Sequence, residues 1–132
     1  MKALLLAMAV LAVAVVSGCA SVQVTEQADL SGMKLTPTEE PIAHINAQNW
    51  GFYFLSVPLI TGSAENPGKM AFFSEDSVTV PKTVNVLTKK AKELNATKVT
   101  AIASDRSSLM IPIPIPFLFY MKSTNASGNA VR

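Results

Sequence analysis

Apolar residues fall along this chain in blocks of different rhythm, and the rhythm sets the elements. Ala3 to Val16 is apolar without interruption. Residues 20–40 are polar with no sustained period, although Val22 and Val24 alternate with polar neighbours. Ile42, His44 and Asn46 then alternate with Ala43, Ile45 and Ala47, the period of two that predicts a strand. Gln48-Asn49 reads as a break, and Trp50 to Val57 as a second strand or a bulged continuation. That stretch is apolar on both faces, with Phe52 and Phe54 on one and Tyr53, Leu55 and Val57 on the other. Strands of this kind are central in a sheet or pressed against another surface. Pro58 ends the ladder there.

From Val80 to Leu94 the period changes. Val84, Leu87, Ala91 and Leu94 recur at spacings of three and four, which predicts one apolar stripe on a helix. Pro81 suits a first helical turn, and Asn95 suits the left-handed residue that closes a helix. No Ser, Thr, Asp or Asn stands immediately before Pro81, so the start looks weakly capped. Thr97 to Ser104 predicts a strand, and Asp105-Arg106-Ser107-Ser108 a turn. Thr61 to Gly68 carries the residues of a surface loop.

In Leu109 to Met121, Pro112, Pro114 and Pro116 occupy every second position between Ile111, Ile113 and Ile115. Each residue before a proline is pushed to extended conformations. If the whole run is extended, all three prolines remove donors from the same edge. The segment then predicts an edge strand or rigid arm that pairs on one side only. Phe117 to Met121 continues it as a strand. Strands broken by one strong helix give an α+β class: a mainly antiparallel sheet of about four strands, with the principal helix (about 80–94) packed on one face.

The N-terminal block has another meaning. Lys2 supplies a positive start, and the run from Ala3 to Val16 falls short of the ~20 residues a spanning helix needs. Val16-Ser17-Gly18-Cys19 follows and contains the one cysteine of the chain. A basic start, a short apolar core and small residues describe a secretory signal peptide. With the cysteine in that place, the block resembles the lipobox of bacterial lipoproteins. The resemblance implies diacylglycerol on the Cys19 thiol, cleavage between Gly18 and Cys19, and often a further fatty acid such as palmitate on the freed amine. Two or three acyl chains hold a protein firmly to a membrane where one does so only marginally. Residue 20 is alanine rather than the aspartate that resembles an inner-membrane retention signal, which implies the periplasmic face of an outer membrane. The organisation expected is a signal peptide over 1–18, a lipidated tether over 19–41 and a single domain over 42–132.

Charge adds little. Eleven Lys and Arg stand against nine Asp and Glu, a balance that gives no electrostatic case for nucleic acid. With Cys19 taken by lipid, no thiol remains for a disulfide or a cysteine-based metal cluster. His44 is the one histidine, with no nucleophile elbow or paired-histidine spacing beside it. Glu75-Asp76 is a local acidic pair of the sort common before helices. The triplets Asn95-Ala96-Thr97 and Asn125-Ala126-Ser127 are chance matches to a glycosylation signal in a bacterial export route. No catalytic residue, metal ligand or cofactor is expected, and the chain reads as a non-enzyme. It reads as a lipid-anchored envelope protein with a small structural or partner-binding domain, joined to the membrane through the acyl chains of Cys19. A protein partner or self-association would use the two long apolar stretches of the domain, at Trp50, Phe52, Phe54, Ile111, Ile113, Ile115, Phe117 and Phe119. The alternative is a small-ligand binder that uses an aromatic cluster around Trp50.

Overall fold

A computed structural model describes residues 20–73, 75–112 and 114–132. Gly18, Cys19 and Ile113 lie outside the described residues, and with them the cleavage and lipidation site. The class is α+β, with six strands in one sheet and one α-helix among the described residues. The strands are β1 (Ala20–Glu26), β2 (Pro41–Phe54), β3 (Val57–Gly62), β4 (Met70–Phe72), β5 (Lys98–Ile111) and β6 (Phe119–Val131). The helix, α1, spans Val80–Glu93, and a short 3-10 turn covers Gln27–Leu30. Every strand pairing is antiparallel.

β2 is the strand on which the others are assembled. One edge pairs with β6 along its whole length, from Pro41 opposite Val131 to Phe54 opposite Phe119. The other edge is shared: β1 takes Ala43 to Asn49, and β3 takes Gly51 to Phe54. β4 continues the sheet beyond β3, and β5 continues it beyond β6. The expected break at Gln48-Asn49 does not occur. Asn49 is buried, and its Nδ2 donates to the carbonyls of Gly62 (3.2 Å) and Ser77 (2.8 Å), so its side chain finds partners without leaving the ladder. Gly51 follows where a Cβ would come within 2.8 Å of the Ile60 carbonyl oxygen.

The stretch expected as a tether is in part sheet, because Val22 and Val24 find partners. Val22 stands opposite Ala47 and Val24 opposite Ile45. Val22 packs against the core from there. That core lies between α1 and one face of the sheet and consists of Ile45, Ala47, Ala64, Val86, Leu87, Ala91, Ala126 and Ala130. Alanines on β2 and β6 let the helix come close, and the larger residues are Val86 and Leu87 from the helix and Ile45 from β2. The buried stripe of α1 is Thr83, Val86, Leu87 and Ala91, with Val84 and Leu94 at its margins. The stripe is thus rotated from the one its apolar spacing predicts.

α1 begins one residue before Pro81, and Thr79 caps it: the hydroxyl accepts from the Lys82 N–H (3.4 Å). The weak start read from the sequence came from placing the cap one position late. Asn95 closes the helix at φ 61, as its residue type suggests.

Two further expectations are corrected. Asp105 to Ser108 is not a turn but the middle of β5, paired residue for residue with Asn125 to Lys122 of β6. β5 is an edge strand with almost every side chain exposed, so polar residues there carry no burial cost. The Ile-Pro run is not an extended edge strand either. Ile111 ends β5 and Phe119 opens β6, and these two are register partners. The residues between them must therefore reverse the chain, and Ile115 and Phe117 sit exposed in that connection rather than on a strand.

Candidate functional site

The register decides what the two faces of the sheet present. Successive strand residues point to opposite faces, and directly paired residues share one. On β2, Ala43, Ile45, Ala47, Asn49, Gly51 and Tyr53 are buried toward the helix layer. The opposite, open face receives His44, Asn46, Gln48, Trp50, Phe52 and Phe54, while Ile42, at the register shift between Pro41 and Ala43, packs against the core.

That open face changes character along its length. In its first half His44, Asn46 and Gln48 stand opposite Asn129, Ser127 and Asn125 of β6, a polar field. His44 Nδ1 donates to Asn129 Oδ1 at 2.7 Å, and Asn129 Nδ2 reaches the Leu35 carbonyl at 3.5 Å. The segment between the 3-10 turn and β2 therefore lies over this end. It is tied down by the Lys98–Glu39 ion pair and by the Arg132 N–H donating to the Glu40 carbonyl (3.0 Å).

From Trp50 onward the same face turns apolar. Phe52 stands opposite Met121 on one side and Ile60 on the other, and Phe54 opposite Phe119 and Val57. Leu109 and Ile111 of β5 extend the row beyond Met121 and Phe119, and Phe72 of β4 extends it beyond Ile60. Phe54 and Phe119 meet edge to face with ring centroids 5.5 Å apart. Several of these side chains remain open to solvent, with Leu109 60%, Phe72 58% and Val57 55% exposed. Trp50, Phe52, Ile111 and Phe119 are half-buried.

Two turns lie beyond this apolar half, and one backbone bond joins them: the Leu55 N–H donates to the Leu118 carbonyl (2.6 Å). Leu55 (φ 54) and Phe117 (φ 68) both adopt the left-handed conformation, at a cost of about 1–2 kcal/mol for a residue with a side chain. Both side chains are also exposed. The end of the molecule thus carries two strained, solvent-facing apolar residues that packing does not explain. Such strain concentrates at contact and functional sites.

Known protein families, curated proteins and solved structures were compared with this chain. None matches.

The sequence-derived surface is therefore brought together in part. Trp50, Phe52, Phe54, Ile111 and Phe119 share one face, while Ile115 and Phe117 stand at its tip. The aromatic cluster expected around Trp50 is not present. Strand alternation sends Tyr53 to the helix side, away from Phe52 and Phe54. There its ring lies under the Lys122 ammonium (4.2 Å to the centroid), and its hydroxyl donates to Asp76 Oδ1 (2.5 Å). Burial, then the hydrogen bond to Asp76 and that carboxylate's charge, hold the Tyr53 hydroxyl well above the usual tyrosine range. Asp76 also accepts from the Val78 N–H (3.0 Å), so half of the acidic pair anchors the approach to α1.

Residues that sequence reasoning passed over form a buried polar group beneath the start of α1. Ser77 Oγ donates to the Gly62 carbonyl (2.5 Å) and lies 2.9 Å from Thr61 Oγ1, beside Asn49. These bonds pin the loop before α1 to β3. Only the folded register shows them, since their side chains are far apart in the chain. A groove of about 630 Å³ lies beside Ala20 and is lined by Val22, Val86 and Lys89 among others; Trp50 is not part of it. Among the described residues no group of three or more His, Cys, Asp and Glu side chains is placed to hold a metal ion. Among the same residues no helix is long and apolar enough to cross a membrane.

Proposed function

We propose that this chain is a bacterial lipoprotein, held by acyl chains on Cys19 at the periplasmic face of the outer membrane. Its small domain acts through a contact surface rather than through catalysis. The observation that carries the reading is Val16-Ser17-Gly18-Cys19 at the end of the Ala3–Val16 apolar run. Ala20, the next residue in the chain, already pairs with Asn49 in the sheet, so a domain anchored at Cys19 would follow directly behind its lipid. The contact role draws support from the apolar half of the open face, where aromatic and aliphatic side chains stand in register with partial exposure.

Metabolic labelling with a fatty acid tests the anchor. The wild-type chain should take up label and fractionate with the outer membrane, and Cys19→Ala should abolish uptake. A Cys19→Ala chain that still incorporates label overturns the lipoprotein reading. Recovery of the labelled wild type in the inner membrane overturns the sorting alone.

A further inference from the structure

We infer that the apolar half of the open face, from Trp50 to the β5–β6 connection, seats in the lipid leaflet that holds the acyl chains of Cys19. The inference rests on the lipoprotein reading and adds the partner of its contact surface. Three observations select a bilayer as that partner.

The first is where the anchor enters. Ala20, the residue that follows Cys19 in the chain, pairs with Asn49, beside the boundary at which the open face changes from polar to apolar. Phe52 and Phe54 lie three and five residues further along β2, about 10 and 16 Å at ~3.3 Å per residue. The neighbour of Cys19 in the chain, Ala20, is already part of β1, so no separate linker lies between that cysteine and the sheet. A lipid attached at residue 19 therefore holds this surface within about 16 Å of the point of attachment. A protein partner would have to compete with the leaflet for it.

The second is charge. The stretch from Trp50 to Gly62 contains no Asp, Glu, Lys, Arg or His, and the stretch from Ser107 to Ser123 contains Lys122 and no carboxylate. Lys122 stands opposite Gly51, on the helix side of the sheet rather than on the apolar face. The seating surface thus brings no charge to desolvate, which is the condition for entering an apolar phase cheaply.

The third is the division of the face itself. The polar half, around His44 and Asn129, is the end over which the Leu35 segment lies. The exposed Phe54, Phe72, Leu109, Ile115 and Phe117 gather at the other end. An amphipathic surface of this kind lies in a membrane interface with its apolar part submerged and its polar part wet.

The chain has one tryptophan, and it stands on this face. The full-length protein, isolated with its native acylation, can be placed in phosphatidylcholine vesicles whose acyl chains are brominated or plain. Seated as inferred, Trp50 emission shifts to the blue in both and loses most of its intensity in the brominated ones. The double variant Phe72→Ser and Leu109→Ser replaces two exposed side chains. It should keep its circular dichroism and its acylation but recover most of the lost emission. Acylated, vesicle-bound wild type whose Trp50 emission is the same in both vesicles overturns the seating. So does quenching that the folded double variant retains in full. Mass spectrometry on the same sample reads the acyl group independently. A chain without acyl groups overturns the lipoprotein reading: quenching in that sample upholds the seating alone, and its absence overturns both.

Discussion

Tyr53 shows how a single side chain is committed by its register. One position earlier or later it would stand on the open face with Phe52 and Phe54; in place, it is fully buried and bonded to Asp76 at 2.5 Å. Its raised ionisation has a stability consequence whose sign follows from linkage. The unfolded chain releases the phenolic proton near pH 10, while the folded chain holds it to higher pH. The contribution of Tyr53 is therefore complete below pH ~10 and is lost as pH climbs from there toward the raised folded value. Tyr53→Phe should cost about 2 kcal/mol at neutral pH, through the lost bond to a carboxylate. It should also flatten the fall in stability above pH ~10 relative to the wild type. Urea denaturation on both sides of that pH measures the two effects. Parallel pH dependence in wild type and variant would refute the assignment to Tyr53. His44 is the contrasting case: it lies half-buried on the open face with Asn129 Oδ1 as its partner.

At the scale of elements, β1 and the β5–β6 hairpin depart most from what their composition suggests. Each is decided by the strand beside it. β1 has only two valines in alternation, too little to hold a strand alone, yet Ala43 to Asn49 offers a free edge of β2 directly over the core. Backbone pairing and burial of Ala20, Val22 and Val24 together outweigh the polar side chains between them. Replacing residues 20–26 with a glycine–serine sequence should then destabilise the domain by on the order of 3 kcal/mol in chemical denaturation. It should also speed amide exchange along Ala43 to Asn49. A true tether would tolerate the replacement with no change in either measurement. The hairpin follows the same logic in reverse. Ser107 Oγ meets Ser123 Oγ at 2.8 Å, and pairing with β6 carries β5 through a run of turn-forming residues. The prolines are displaced to the connection, where their missing donors leave no rung unpaired.

For the whole molecule, the exposed edge is β5. A strand of 14 residues with one unpaired edge invites pairing with another chain. Asp105 and Arg106 at its middle, and the bulge between Thr100 and Ala103 with Ala101 at φ 51, blunt that edge. Exchanging Asp105 and Arg106 for valine should raise concentration-dependent association in sedimentation while leaving monomer stability within about 0.5 kcal/mol, as for most surface changes. A variant that stays monomeric at high concentration would show that the bulge alone guards the edge. The opposite side of the sheet needs no such guard, because β1, β3 and β4 share it in short pieces.

The amino-acid sequence by itself determined the α+β class, the helix near 80–94 with its Asn95 closure, and the opposition of Phe52 and Phe54 to Tyr53. These follow from local periodicity and from what one residue type permits. It also carries the whole of the lipobox argument, which depends on side-chain chemistry at the N-terminus. Only the tertiary structure decided that Ala20–Glu26 joins the sheet, that Gln48-Asn49 does not interrupt β2 and that the Ile-Pro run turns back on itself. Each depends on a partner outside the segment itself: Ala43 to Asn49 for β1, Gly62 and Ser77 for Asn49, and the pairing of Ile111 with Phe119 across the connection. Strand pairing is a long-range interaction, so local propensity proposes a strand but the free edge available to it decides. The apolar half-face arises the same way, since Phe54, Phe119, Leu109 and Phe72 come together through register between strands and not through spacing along any one of them.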